Sequence, residues 1–241
     1  MKYAILGDIH ANLEALNAVL EDAEQQGVTH FACTGDVVGY NADPKPCLQK
    51  IRSLECKIVQ GNHDYYAGCN ESMELFTPMA QKSIRWTRRQ LLPFDRKYLQ
   101  KLPLIIDIEG FTIVHSSLNN PHRWNYIFKR RAADASFRNQ FNPVCFFGHT
   151  HVPLAFINSM DGIEKGFYDT LEIRPGYQYM INVGSVGQPR DRNPKAAYVI
   201  YDLSEQTITM RRVEYDREET QRKIRAAGLP FRNALRLNSG R

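Results

Sequence analysis

The sequence contains no apolar run long enough to cross a membrane. Its longest apolar runs, such as 104–106 and 144–147, have the length of a β-strand, whereas a spanning helix needs roughly 18 apolar residues. The first ten residues, MKYAILGDIH, contain no apolar signal core followed by a small-residue cleavage site. We therefore expect a cytoplasmic protein with no membrane partner.

The chain has few cysteines, and their spacing does not match a known metal-binding or disulfide pattern. The chain has five cysteines, an odd number, and none of them forms a C-x-x-C pair. This argues against a disulfide framework and against a zinc-finger site. Internal repeats, low-complexity segments and an evident linker are also missing, so the 241 residues predict a single domain, 1–241.

No dense block of lysine and arginine accompanies the net charge of +5. A mildly basic balance favours an anionic substrate, and without such a block it argues against nucleic acid as a partner. The short basic clusters at 85–89 and 129–131 are interpreted as solvated faces. Composition leaves the oligomeric state open.

The first half of the chain alternates apolar strand patterns with helical ones. Strands are predicted at 3–6, 31–34 and 57–60, and an apolar stripe with three- and four-residue steps runs from Leu13 to Ala23. Strands that alternate with helices predict a mainly parallel sheet.

The second half is rich in strands. Strand patterns occur at 104–108, 111–115, 144–147, 154–157, 179–183, 197–201 and 207–212. Together with the first half, they predict an α/β fold in which two mixed β-sheets pack face to face with helices outside, a four-layer αββα sandwich. Residues 71–101 are predicted to form a helical cover with breaks near Pro78 and Pro93. The tail 216–241 is predicted to be helical with a break at 228–230.

Five strand patterns end in residues of the kinds that bind metals. The sequences that follow these strands are Gly7-Asp8-Ile9-His10, Gly35-Asp36, Gly61-Asn62-His63-Asp64, His115 and Gly148-His149-Thr150-His151. In α/β sheets, ligands bind outside the carboxyl ends of the strands, so these side chains are expected to converge on one rim. Each motif alone is typical of a cap or a turn; their combination predicts a metal site.

Five of the seven histidines lie at these strand ends. Only His30 and His122 are left over. His30 begins a strand and His122 lies in a polar loop, so both are expected to be structural.

The order of the motifs resembles that of the calcineurin-like metallophosphoesterases. The resemblance rests on Asp8-x-His10, Gly35-Asp36-x-x-Gly39, Gly61-Asn62-His63-Asp64, His115 and Gly148-His149-x-His151. A later stretch, 182–190, is similar to the small bacterial and archaeal members, a phosphodiesterase-like branch.

The resemblance implies two divalent metal ions. It assigns the first ion to Asp8, His10, Asp36 and His151, and the second to Asp36, Asn62, His115 and His149, with Asp36 bridging both. Carboxylates and imidazoles suit manganese, which we place first, and also iron, zinc, cobalt or nickel. It further implies attack on phosphorus by a metal-bound hydroxide, with His63 stabilising the phosphoryl oxygens or protonating the leaving group.

One departure from the family pattern bears on the substrate. The Asp-Arg pair that protein phosphatases carry in the second motif is missing, because Asp36 is followed by Val37-Val38-Gly39-Tyr40. This favours a small phosphorylated substrate, a phosphodiester or a small phosphomonoester, over a phosphoprotein. Arg190 is the candidate for a substitute phosphate clamp.

Two alternative functions stay open. One is a nucleotide-directed phosphohydrolase that acts on cyclic nucleotides or dinucleoside polyphosphates. The other is a non-catalytic scaffold of the same fold.

Overall fold

The computed structural model describes residues 1–74 and 76–241, and these residues form two six-stranded sheets. Their strands are β1 (Lys2–Leu6), β2 (His30–Cys33), β3 (Lys57–Ile58), β4 (Ile105–Ile108), β5 (Phe111–Val114), β6 (Val144–Phe147), β7 (Ala155–Ser159), β8 (Gly162–Gly166), β9 (Thr170–Glu172), β10 (Gln178–Asn182), β11 (Ala196–Asp202) and β12 (Thr207–Val213). The helices are α1 (Leu13–Gln25), α2 (Pro44–Ser53), α3 (Asn62–Gly68), α4 (Pro78–Gln90), α5 (Pro93–Gln100), α6 (Arg130–Phe137), α7 (Arg217–Ala226) and α8 (Phe231–Ser239).

Both sheets are mixed, as the sequence predicts. The first has the order β3-β2-β1-β11-β12-β9 and the second β4-β5-β6-β10-β7-β8. Strands β1, β2 and β3 run parallel to one another, and so do β5, β6 and β10. The prediction of an α/β sandwich built from two mixed sheets is confirmed.

The central strands β1, β5, β6, β10 and β11 are buried on both faces, and their alternation separates three layers of core. In β1, Tyr3 and Ile5 belong to the apolar cluster between the sheets, whereas Ala4 and Leu6 pack with α1 and α2. In β6, Cys145 packs against α6 on the outer face of the second sheet. A fully buried Leu or Ile side chain contributes roughly 1.5–3 kcal/mol, so this layering fixes the register of each strand.

Parallel neighbours bring the motifs to common edges. Strands β1, β2 and β3 all end at the same edge of the first sheet, while β5 and β6 end together in the second. Because each motif loop follows one of these strands within a few residues, the expected convergence of the motifs has a simple topological cause.

The helical segments agree with the predictions in part. Helices α4 and α5 begin at Pro78 and Pro93, where proline needs no hydrogen-bond partner for its nitrogen. Residues 71–74 and 76–77, which were included in the predicted helical cover, are not helical, and Leu75 lies outside the described residues. In the tail, α7 and α8 flank the predicted break.

Several elements, among them α3, β8, β9 and α6, have no counterpart in the sequence prediction. Strand β8 consists mostly of exposed residues and β9 is three residues long, so neither has an apolar pattern. Helix α6 lies in a segment that begins with basic residues, and only Ala133, Ser136 and Phe137 of its inner face are buried. None of the described helices combines the length and the apolar composition that a membrane crossing needs.

Candidate metal centre

Five of the seven predicted ligands have an unusual backbone conformation. Asp8, His10, Asp36, His149 and His151 have φ angles between 48° and 66°, in the left-handed region. Residues other than glycine adopt this region rarely, at a cost of roughly 1–3 kcal/mol each, and such strain clusters at functional sites. The parallel strands on either side hold the turns in place.

The glycines of the motifs allow the close approach of neighbouring loops. A Cβ atom at Gly61 would lie 2.1 Å from Oδ1 of Asp36, and one at Gly148 would lie 2.3 Å from Oδ2 of Asp8. Both positions therefore exclude any side chain.

The first group of ligand-type atoms comprises Asp8, His10 and His151. The distance from Asp8 Oδ1 to His151 Nε2 is 3.1 Å, and to His10 Nε2 it is 3.7 Å. The other carboxylate oxygen, Oδ2, accepts a hydrogen bond of 2.8 Å from the backbone N–H of His149. Asp8 is thus held at one oxygen and presents the other to the two imidazoles.

The second group comprises Asp36, His115 and His149, with Asn62 beside it. His115 Nε2 lies 3.0 Å from Asn62 Oδ1, 3.1 Å from His149 Nδ1 and 3.4 Å from Asp36 Oδ2. The same Oδ2 atom is 3.6 Å from His10 Nε2 in the first group. Asp36 therefore stands between the two groups.

Backbone carbonyl groups fix the orientation of three imidazoles. Nδ1 of His10 faces the carbonyl of Val38 at 3.2 Å, Nδ1 of His151 faces that of Gln188 at 2.6 Å, and Nδ1 of His115 faces that of Thr34 at 2.8 Å. A carbonyl accepts a hydrogen bond, so Nδ1 carries the proton and Nε2 presents its lone pair to the centre.

The Nε2 lone pairs of His10 and His151 point towards each other, and neither nitrogen carries a proton that it could donate. Nε2 of His10 and Nε2 of His151 are 3.1 Å apart, and both face Asp8 Oδ1, which accepts no hydrogen bond within the described part of the chain. Such an arrangement is repulsive unless a cation lies among the atoms. The donor set therefore fits divalent metal ions that accept nitrogen and oxygen ligands.

Burial sets the charge of the site. It lowers the pKa of His10, His115, His149 and His151, to about 3 for His151, so the imidazoles are neutral, as ligation requires. Burial and the nearby carboxylates of Asp64 and Asp8 raise the pKa of Asp36 well above its usual value. The ionised form of Asp36 is therefore disfavoured, and a bound cation would offset its charge.

His63 lies at the boundary between the ligand groups and open space. Its backbone N–H donates to Asp36 Oδ1 over 2.8 Å, and its ring packs on Tyr40, His10 and Phe76 with centroid distances of 4.4, 4.7 and 5.4 Å. It also falls within 4.8 Å of ligand atoms of His10 and Asp36. The geometry is compatible with contact to a substrate, and the assigned role stays a prediction.

A cavity of about 260 Å³ opens beside both groups. Its walls contain the aromatic side chains Tyr40, Tyr66, Phe76, Trp124 and Tyr126 and the arginines Arg123 and Arg190. The structure therefore brings Arg190 to the site, together with residues from 71–101 and from the loop after His115. His30 and His122 are exposed and line no part of this cavity.

Sequence reasoning missed two contributors. Tyr40 lines the cavity, and its place directly after the glycine of the second motif was the available signal. Asp64 is fully buried, and its carboxylate accepts hydrogen bonds from the backbone N–H groups of Asp36, Val38 and Gly61 at 2.7, 3.2 and 3.2 Å. It ties the second motif loop to the third.

Known proteins are similar to this chain in sequence and in fold. Residues 1–206 match the family model of the calcineurin-like phosphoesterase superfamily domain. The chain is 39% identical to an uncharacterised protein of Methanocaldococcus jannaschii. The alignment extends over 242 residues and covers 99% of this chain and 98% of that protein. A crystal structure of a metallophosphoesterase from Sphaerobacter thermophilus is 38% identical, with a TM-score of 0.90 over 100% of this chain and 99% of that one. The structure of a hypothetical protein from Pyrococcus horikoshii OT3, 20% identical, has a TM-score of 0.80 over 100% of this chain and 98% of that one, which shows a common fold.

Proposed function

Because the chain belongs to the calcineurin-like phosphoesterase superfamily, we propose that it hydrolyses phosphodiesters or small phosphomonoesters with the help of two divalent metal ions. The observation that carries the proposal is the position of Asp36, whose Oδ2 atom lies 3.6 Å from His10 Nε2 and 3.4 Å from His115 Nε2. One carboxylate oxygen thus serves two ligand groups at the wall of one cavity.

The proposal gives the residues of the site different roles. Asp8, His10, Asp36 and His151 would hold one ion, and Asp36, Asn62, His115 and His149 the other. When bound, a pair of divalent ions supplies an activated water and offsets the charge of the phosphate. His63, at the cavity wall, would donate a hydrogen bond to a phosphoryl oxygen or a proton to the leaving group.

The shape of the cavity favours a small substrate. Phe76, Thr77 and Ala80 from the region of α4 form one wall, and Trp124 and Tyr126 from the loop after β5 form another. A folded phosphoprotein would have to reach the ligand groups between these walls. The aromatic side chains favour a nucleotide-directed phosphohydrolase as the second candidate, since every nucleobase offers a flat face for stacking.

A hydrolysis panel tests the proposal. Metal-free protein would be supplied separately with manganese, iron, zinc, cobalt or nickel and assayed on p-nitrophenyl phosphate, its bis-ester, cyclic and linear nucleotides, and a folded phosphoprotein. We expect metal-dependent turnover of the small esters, with manganese most effective. Binding of metal without turnover of any ester would instead support the non-catalytic scaffold. Preference for the folded phosphoprotein would overturn the proposed substrate class.

A further inference from the structure

Two arginine side chains converge on one amide oxygen behind the Tyr40 wall of the cavity. Nη2 of Arg190 donates to Gln188 Oε1 over 3.1 Å, and Nη1 of Arg236, from α8, donates to the same oxygen over 3.4 Å. Two cations that share one acceptor repel each other. Burial, followed by the charge of Arg190, accordingly lowers the pKa of Arg236.

Neither guanidinium has a carboxylate partner within residues 1–74 and 76–241. The carboxylate next in sequence, Asp191, is paired with Arg212 instead. Nε of Arg190 and Nε2 of Gln188 are buried and also lack hydrogen-bond partners in this part of the chain. These two donors are thus left without an acceptor and both positive charges without a counterion, which is costly in a partly buried place.

The pair of arginines is connected to the candidate metal centre. Arg190 lines the cavity together with Asp36 and His63, and its backbone N–H donates to the carbonyl of His151 over 3.1 Å. Gln188, which joins the two arginines, also holds Nδ1 of His151 through its backbone carbonyl. An anion at Arg190 would therefore lie inside the same cavity as the reacting phosphate.

Helix α8 is anchored to this wall. Nδ2 of Asn233 donates to the carbonyl of Tyr40 over 2.8 Å and to Oγ of Ser83 over 3.1 Å. The helix lies beyond residues 1–206, the part that matches the family model. Arg236 of this helix contacts the cavity-lining Arg190 through their shared acceptor, Gln188.

We propose that Arg190 and Arg236 form an anion subsite for a second, non-reacting phosphate group of the substrate. Arg190 contacts the group directly, and Arg236 supplies the second positive charge from behind. The role in substrate selection rests on the proposed function, but the binding of phosphate at this place does not.

The first experiment uses metal-free protein and inorganic phosphate as the probe. Calorimetric titration should show one phosphate bound by the wild type, and Arg190→Gln and Arg236→Gln should each weaken binding by roughly tenfold or more, as expected when a charged hydrogen-bond donor is lost. Arg236→Lys keeps the charge and should stay within a few-fold of the wild type. Arg225→Gln, at an exposed position on α7, is the control and should bind normally.

Thermal unfolding without phosphate establishes that each variant folds. Equal phosphate affinity in Arg236→Gln and wild type, or no binding by the metal-free wild type, would overturn the subsite. Because these measurements need neither metal nor turnover, they stand apart from a failure of the proposed function.

The second experiment compares a nucleoside 3′,5′-bisphosphate with the corresponding 5′-monophosphate on manganese-loaded protein. Arg236→Gln should raise KM for the bisphosphate about tenfold more than KM for the monophosphate, with similar kcat. An equal change in KM for both substrates would contradict recognition of a second phosphate.

Discussion

The Nε2 atoms of His10 and His151 face each other at a distance of 3.1 Å, although each ring has its Nδ1 atom tied to a backbone carbonyl. Both nitrogens must present lone pairs, and the neighbouring carboxylate oxygen of Asp8 adds negative charge. The strained turns that carry these residues hold this geometry in place. A polypeptide that sustains such repulsion is organised to bind cations.

His63→Ala should separate catalysis from metal binding. We expect the variant to keep about two metal ions per chain, since the two ligand groups are complete without His63, and to lose about 10²–10⁴-fold in kcat, the usual effect of losing a general acid or an equivalent group. Metal analysis and steady-state kinetics check this, with the exposed His122→Ala as the control. Loss of metal with an unchanged rate per bound ion would show that His63 is a ligand instead.

Asp64→Asn should destabilise the protein. The carboxylate accepts three backbone hydrogen bonds in a buried place, whereas an amide would turn a donor towards at least one of these N–H groups. We expect a loss of about 2 kcal/mol in the free energy of unfolding, measured in urea. The exposed Asp161→Asn should leave this free energy within about 0.5 kcal/mol of the wild type.

In a substrate with a single phosphate, the reacting group is the only anion available to Arg190, so Arg190→Ala should affect phosphomonoesters more than phosphodiesters. A monoester carries more negative charge, which a guanidinium recognises, whereas a diester has less to gain from it. We expect kcat/KM for p-nitrophenyl phosphate to fall about tenfold or more, and that for the bis-ester to change less. The exposed Arg130→Ala serves as control. Equal losses on both substrates would argue against a phosphate clamp.

Asp22 should contribute stability that depends on pH. Its carboxylate accepts hydrogen bonds from Arg211 at 2.7 and 3.1 Å and from the Tyr198 hydroxyl at 2.7 Å. Burial alone would raise its pKa, but these partners lower it below the usual value. The contribution is therefore present above the unfolded pKa and is lost as pH falls through the folded one.

Asp22→Asn should accordingly cost up to about 1 kcal/mol at pH 7, a modest value because the pair is partly solvated. The difference between variant and wild type should shrink as pH falls from about 5 towards 3. Urea unfolding across this range checks the trend. A difference that grows on acidification would have the wrong sign for a lowered pKa.

The strands and their ends could be predicted because burial leaves a clear pattern. Residues 144–147 form β6 with the predicted bounds, and the strands predicted at 104–108 and 111–115 correspond to the antiparallel pair β4 and β5. Asp8, Asp36 and His115 each lie within three residues of the end of a strand, so the parallel strands of the two sheets bring them together. Their individual roles as ligands follow from the family resemblance and stay predictions.

The cavity walls could not be predicted in the same detail. Trp124 and Tyr126 reach the cavity because of an irregular loop in which Trp124 itself has a φ of 51°. Such a loop has no periodicity for a sequence pattern to reveal. The contact between Arg236 and Gln188 joins positions 48 residues apart in sequence, and no local signal indicates it.

The central claim, two metal ions bridged by Asp36, is tested most directly by titrating metal-free protein with manganese while following hydrolysis of bis-p-nitrophenyl phosphate. We predict two ions per chain, activity that appears only with metal, and a rise in Tm, since 100 Kd of free metal stabilises by about 2.7 kcal/mol per site. Asp36→Asn should lower occupancy at both sites, because each ligand group loses the shared oxygen. Full activity of the dialysed wild type in excess chelator, or unchanged stoichiometry in Asp36→Asn, would contradict the account.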